Sequence, residues 1–230
     1  MQQEKNGNKL TPKQMAFYII LSIFINAIGT GLTVALNMGS AMWTAASVNL
    51  AAFLQLPFAV TMSMLGVFAL GWSFVITKSF DLRRAVANFC FMLPFSYLIG
   101  FFAKFFSSLG VEDLPLMIKI ILDIIGIYFL ACGVSIYQRV NLVMHPIDEV
   151  IKNVRFYICH GKSREGLIVS FIPPMLLIAT IYLLTGDILA VNIGTVVSLI
   201  FQGDFVALSD KYVFPHLKHH FSNSIQSQLD

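Results

Sequence analysis

The chain has 230 residues, of which 57% are apolar and 12% charged, and its mean hydropathy is +0.78. A soluble domain carries about 45–50% apolar and about 25% charged residues, so this composition excludes a soluble enzyme, a secreted disulfide scaffold and a disordered chain. Fifteen basic against twelve acidic residues leave only +3, so the placement of the charges says more than their sum.

Lys5, Lys9 and Lys13 precede an apolar run over 15–36. Its 22 residues exceed a signal-peptide core, no small-residue cleavage site follows, and Thr11-Pro12 supplies a cap and a first-turn proline, so it predicts a first membrane span. After the Asn37-Met38-Gly39-Ser40 turn, residues 41–56 predict a short helix. Ser40, Thr44 and Ser47 share one of its stripes, and Trp43 is expected at interface level. Further spans are predicted at 57–77, at 85–103 around Pro94, and at 120–138. Asn141-Leu142-Val143-Met144 then leads into a second short helix over 145–158, where Asp148 precedes Lys152 by one turn and Arg155 follows. The last spans are predicted at 167–184, around Pro173-Pro174, and at 188–208, parted by Thr185-Gly186-Asp187. Prolines inside spans predict kinks or broken helices. Each short helix reads either as a surface helix in the membrane interface or as an element folded inward to cap a central cavity.

Cytoplasmic loops retain Lys and Arg. With the N-terminus inside, thirteen basic residues fall on the cytoplasmic side, and only Lys104 and Lys119 fall outside. Six spans and two cytoplasmic termini follow as the expected topology. A shift of 104 residues superposes Gly29 on Gly133, Asn37 on Asn141 and Asn49 on Asn153, all at equivalent places relative to the spans. Three spans per half force the second half to run in the opposite sense. The fold class expected is therefore an all-α polytopic membrane protein of two inverted three-helix repeats, each with a short helix after its first span. The chain is one integral membrane domain over 1–230, with repeats at about 12–108 and 114–212 and a cytoplasmic tail at 213–230.

Gly29-Thr30-Gly31, Asn37-Met38-Gly39, Asn141-Leu142 before Pro146-Ile147-Asp148, and Asn192-Ile193-Gly194-Thr195 together resemble the YczE/YyaS/YitT group of bacterial integral membrane proteins. That group carries an Asn-Leu-Gly turn followed by a Pro-Trp-Asp element. Here the first copy keeps Trp43 without the Pro and Asp, and the second keeps Pro146 and Asp148 without the Trp. The resemblance implies a multi-pass protein of the bacterial plasma membrane, in a largely uncharacterised group regarded as permeases.

Polar groups inside apolar runs are the pointers to chemistry, because a charge in hydrocarbon costs roughly 2.5–3.5 kcal/mol on insertion scales. Asp123 is expected to pair with Lys119 four residues before it, and is the acid that would couple transport to a cation or a proton; Lys104 and Asp204 are lesser candidates. Asn26, Asn88 and Asn192 interrupt spans as hydrogen-bonding glue or solute contacts, as does Gln202. With Asn37, Asn141 and Asp148 they make up the candidate ligand-binding or coupling set. His216, His219 and His220 read as part of a basic tail beside anionic lipid, and Cys90, Cys132 and Cys159 as core residues. Neither a metal nor a cofactor is expected, and no nucleotide-binding or catalytic motif points to an enzyme or to nucleic acid. The expected function is a membrane permease of the secondary-transporter type for a small polar solute with a coupling cation. The alternative is an auxiliary membrane protein or solute-binding subunit of a larger complex. The expected surroundings are the lipid bilayer and either a second copy or a membrane partner.

Overall fold

In the computed structural model, residues 10–78, 82–160 and 163–218 are described, and their regular structure is entirely helical. Six helices are long and apolar enough to cross a membrane: α1 (Pro12–Leu36), α3 (Phe58–Thr77), α4 (Leu82–Ser108), α5 (Leu116–Val140), α7 (Ser163–Thr185) and α8 (Ile193–Tyr212). Two are too short to do so. α2 (Met42–Leu54) has 13 residues and α6 (Pro146–Asn153) has 8, which give lengths of about 20 Å and 12 Å.

The helix ends follow local chemistry. Thr11 and Gln14 form a reciprocal capping box, and Pro12 occupies the first turn, where its missing N–H costs nothing. α1 and α5 both end on an asparagine in the left-handed region, Asn37 and Asn141, each at φ 49° and ψ 30°. Asparagine tolerates that conformation because its short polar side chain can bond locally, and the chain turns sharply into α2 and α6.

α1 and α5 cross with their backbones close together. A methyl group on Gly29 would lie 2.5 Å from the Gly126 carbonyl oxygen and 2.6 Å from the Leu130 nitrogen; one on Gly133 would lie 2.5 Å from Asn26 Cβ and 2.8 Å from the Ser22 carbonyl oxygen. Adding 104 to Ser22, Asn26 and Gly29 gives Gly126, Leu130 and Gly133, so the two approaches exchange roles. The same exchange holds for whole elements. α1 packs on α4 as α5 packs on α8, and α2 packs on α7 as α6 packs on α3. One pairing breaks the pattern: α3 packs on α4, whereas α7 and α8 barely meet.

The segment before α8 is fixed by asparagines of the first half. Asn49 donates to the Leu189 carbonyl at 2.6 Å and accepts from the Leu189 N–H at 2.9 Å, and Asn37 Oδ1 accepts from the Ala190 N–H at 2.9 Å. These bonds hold 189–190 extended or turned, so α8 begins at Ile193 and not at 188 as hydropathy predicts. At the far end of α5, Arg139 is 1% exposed and donates to the backbone carbonyls of Val213, Phe214 and Leu217 while lying 3.3 Å from Asp210. Tyr18 and His216 are within hydrogen-bonding distance beside this knot.

Three expectations are corrected. Pro94 lies inside an uninterrupted α4 and Pro173-Pro174 inside an uninterrupted α7, so these prolines break no helix. Trp43 is buried at 3% exposure among Phe68 and Trp72, because α2 turns its first half inward against α3 and α7. Lys119 Nζ donates to the Glu112 carbonyl at 3.1 Å and forms no pair with Asp123, which α8 covers.

Candidate functional site

The site is built from the first turns of the two short helices. Ala41 caps α2 without a side-chain hydrogen bond, leaving the N–H groups of its first turn without a side-chain acceptor. His145 caps α6, its Nδ1 accepting from the Ile147 N–H at 3.3 Å, and Pro146 takes the first helical position. The two beginnings converge on one cavity of about 50 Å³, room for a few waters at roughly 10–15 Å³ each. Ala41, Trp43 and Thr44 face it from α2, and His145, Ile147 and Asp148 from α6. Asn26 and Thr30 of α1 and Leu130 and Val134 of α5 form its other walls, with Phe95 and Gln202 contributed by α4 and α8.

These lining residues are register partners. Adding 104 to Asn26, Thr30, Ala41, Trp43 and Thr44 gives Leu130, Val134, His145, Ile147 and Asp148, five pairs that all border the cavity. Their chemistry is not symmetric. Asn26 and Thr30 are polar where their partners are apolar, and His145 and Asp148 stand opposite Ala41 and Thr44.

Asp148 accepts a hydrogen bond from the Tyr137 hydroxyl of α5. Burial pushes its carboxyl up to about 6, with the Tyr137 bond opposing the rise. Burial pushes His145 down to about 3, so its ring is neutral, and because Nδ1 accepts, the proton resides on Nε2. Neither that Nε2 nor Trp43 Nε1 has a hydrogen-bond partner, although both residues are at least 97% buried.

The other predicted residues disperse. Asn88 is fully buried, donates to the Glu149 carboxylate and accepts from the Met144 N–H at 3.1 Å; it orients the entry to α6. Ser40, the register partner of Met144, likewise donates its N–H to a side chain, Thr195 Oγ1 at 3.2 Å, although the register partner of Asn88 is Asn192; that bond orients the entry to α2. Asn192 caps α8, its Oδ1 accepting from the Ile193 N–H at 2.8 Å. Asp123, 2% exposed, presses one carboxylate oxygen against Gly194 in the first turn of α8, where the helix dipole favours negative charge. Asp204 and Lys104 are exposed on helix surfaces. His219 and His220 lie outside the described residues, and among the described residues no cluster of three or more His, Cys, Asp or Glu side chains could hold a metal.

A family model described as a family of unknown function (DUF6198) matches residues 12–211. The chain belongs to this family. No curated protein and no solved structure matches it. The match to DUF6198 takes in the first five long helices, α8 up to Lys211, and the whole cavity lining. Within this DUF6198 chain, sequence reasoning names Asn26 and Asp148, which border the cavity, and passes over His145, which borders it, and Tyr137, which bonds Asp148. His145 carries a signal in retrospect, since it precedes a first-turn proline where caps belong. Tyr137 carries none, because its role depends on α6 folding back across α5.

Proposed function

We propose that the protein is a permease of the secondary-transporter type, built as two inverted three-span repeats with both termini cytoplasmic, and that the cavity between the short helices is its solute site. The observation that carries this reading is the register pairing of the lining: five pairs related by 104 residues surround one cavity, as expected where two inverted halves meet. The resemblance to the YczE/YyaS/YitT group belongs to the same proposal and rests on the matching Asn37 and Asn141 turns. Asp148, which borders the cavity, is assigned to coupling, whereas Asp123 packs against Gly194 outside the lining.

Flux tests the reading. Proteoliposomes are expected to dissipate gradients of one class of small polar solute or salt faster than protein-free liposomes. Ala41→Leu, which fills the cavity from an uncapped helix start, is expected to reduce that flux at least tenfold while the protein still elutes as a folded species. Flux indistinguishable from protein-free liposomes for every class tested would sink the reading. Topology has its own check. On a cysteine-free background, a membrane-impermeant maleimide is expected to label Glu112→Cys in intact cells and Lys211→Cys only after permeabilisation.

The seam where α7 and α8 barely meet supports a second reading, a solute-binding subunit whose membrane partner fills that seam. Co-purification of a stoichiometric partner, with no flux by the isolated chain, would favour it.

A further inference from the structure

Resting on the reading of the cavity as a solute site, we infer that its occupant is one small monovalent anion of about one to four non-hydrogen atoms, and that Asp148 takes up a proton when the anion binds.

The sign of the occupant follows from what faces the space. α2 and α6 both present their N-terminal first turns to it. Each such end carries roughly half a positive charge, and that of α2 has no side-chain cap. Among the side chains that line the cavity, the buried polar atoms without a hydrogen-bond partner are two N–H donors, Trp43 Nε1 and His145 Nε2. Thr44, Thr30 and the amides of Asn26 and Gln202 complete the walls. Positive helix ends and unpartnered N–H donors oppose a metal cation, and the oxygens of the lining are engaged already: Asn26 Oδ1 accepts from Thr30, Gln202 Oε1 from Ser198 and Asp148 from Tyr137. Size points the same way: a space for a few waters admits a halide, nitrate or formate as it stands, whereas a sugar, nucleoside or amino acid would need its walls to move.

Asp148 is the one acidic group in the lining, and its ionised form would repel an anion. The groups that face it are few. Tyr137 of α5 donates to it; α1 and α2 bring Asn26, Thr30 and Thr44, α4 brings Phe95, α7 Phe171 and α8 Gln202, all uncharged. On α6 itself, His145 is neutral, Glu149 is the next residue and accepts from Asn88, and Lys152 lies one turn further on. The carboxyl at about 6 is therefore mostly protonated at pH 5 and mostly ionised at pH 7.5. Since the anion prefers the protonated form, apparent affinity falls as pH rises through that value, by about 30-fold between pH 5 and pH 7.5. Anion and proton enter together, and the bound pair is electrically neutral.

The test is thermal unfolding of the full chain in detergent, titrated with sodium chloride, nitrate or formate at constant ionic strength against sodium gluconate, which is too large to enter. A saturable upward shift of Tm is expected for at least one small anion, with half-saturation about 30-fold lower at pH 5 than at pH 7.5. Asp148→Asn is expected to abolish that pH dependence and bind at both pH values, and Trp43→Phe, which keeps the ring and deletes the N–H, to weaken binding about tenfold at both. Should Asp148→Asn fail to fold, the wild type in weakly buffered solution at pH 6.5 reports directly, with alkalinisation expected on adding the binding anion. No specific shift with any small anion, or a shift that follows the cation when potassium replaces sodium, overturns the inference. Anion binding without proton uptake overturns its second half. The underlying reading fails differently: anion binding without flux removes the permease and keeps the site, whereas flux of an uncharged solute with no anion shift keeps the permease and removes the anion.

Discussion

Arg139→Met is expected to destabilise the protein by about 3 kcal/mol or more, the range for removing one member of a buried ionic network. The methionine matches the arginine stem in length, so the loss isolates the guanidinium. The acceptors around the guanidinium lose their donor together. The carbonyls of Val213, Phe214 and Leu217, now bonded at 2.8, 3.0 and 3.2 Å, lose it, and so does Ser135, whose hydroxyl accepts from Arg139 and donates to Asp210. Asp210 is 29% exposed and can recover water, which is why the lower end of the range is expected. Arg139→Lys should regain little, since one ammonium cannot serve three diverging carbonyls as a planar fork does. Unfolding in mixed micelles measures both. A loss below about 1 kcal/mol would mean that the segment after α8 rehydrates freely and does not brace α5.

The second large effect concerns the α1–α5 crossing. Gly29→Ala and Gly133→Ala are each expected to cost about 2–3 kcal/mol, toward the upper part of the overpacking range, because the atoms met are largely backbone and cannot swing aside. The two costs should be similar, since each methyl intrudes on the counterpart of what the other meets. Gly71→Ala is the control; a methyl there has no neighbour within 4 Å, and the better helix former should be neutral or slightly stabilising. Strongly unequal costs for Gly29 and Gly133, measured in the same micelles, would show that the exchange of contacts is not an exchange of energies.

The spans were legible in the sequence because the bilayer reads length and hydropathy, and those are local quantities. The two turns were legible at Asn37 and Asn141 for a local reason as well: few other residues accept the left-handed region. The site was legible only where local rules and tertiary demands agree. Asp148 at a helix start satisfies both. Asp123 satisfies an i, i+4 rule with Lys119, yet the rule says nothing of α8, whose first turn buries the acid and leaves the lysine outside. Trp43 illustrates the same gap. Tryptophan prefers the interface when its surroundings are lipid and water, but the Asn37 turn throws α2 back against α3 and α7, and the indole goes with it. The start of α8 escaped notice because hydropathy does not register two asparagine side chains more than 130 residues upstream.

The cross-pairing of α2 with α7 has a consequence for how the chain is made. Between the end of α2 at Leu54 and the start of α7 at Ser163, more than a hundred residues must be synthesised, which takes on the order of 5–20 s at about 5–20 residues per second. For that interval α3 covers the Trp43 side of α2, while Asn49 and the face turned to α7 have emerged from the ribosome before α7 and the Leu189 backbone they meet. α6 does not wait, because α3 is already in place when it appears. The first half therefore presents an unfinished surface until α7 and the segment before α8 arrive, while α6 meets in α3 a helix that is already made.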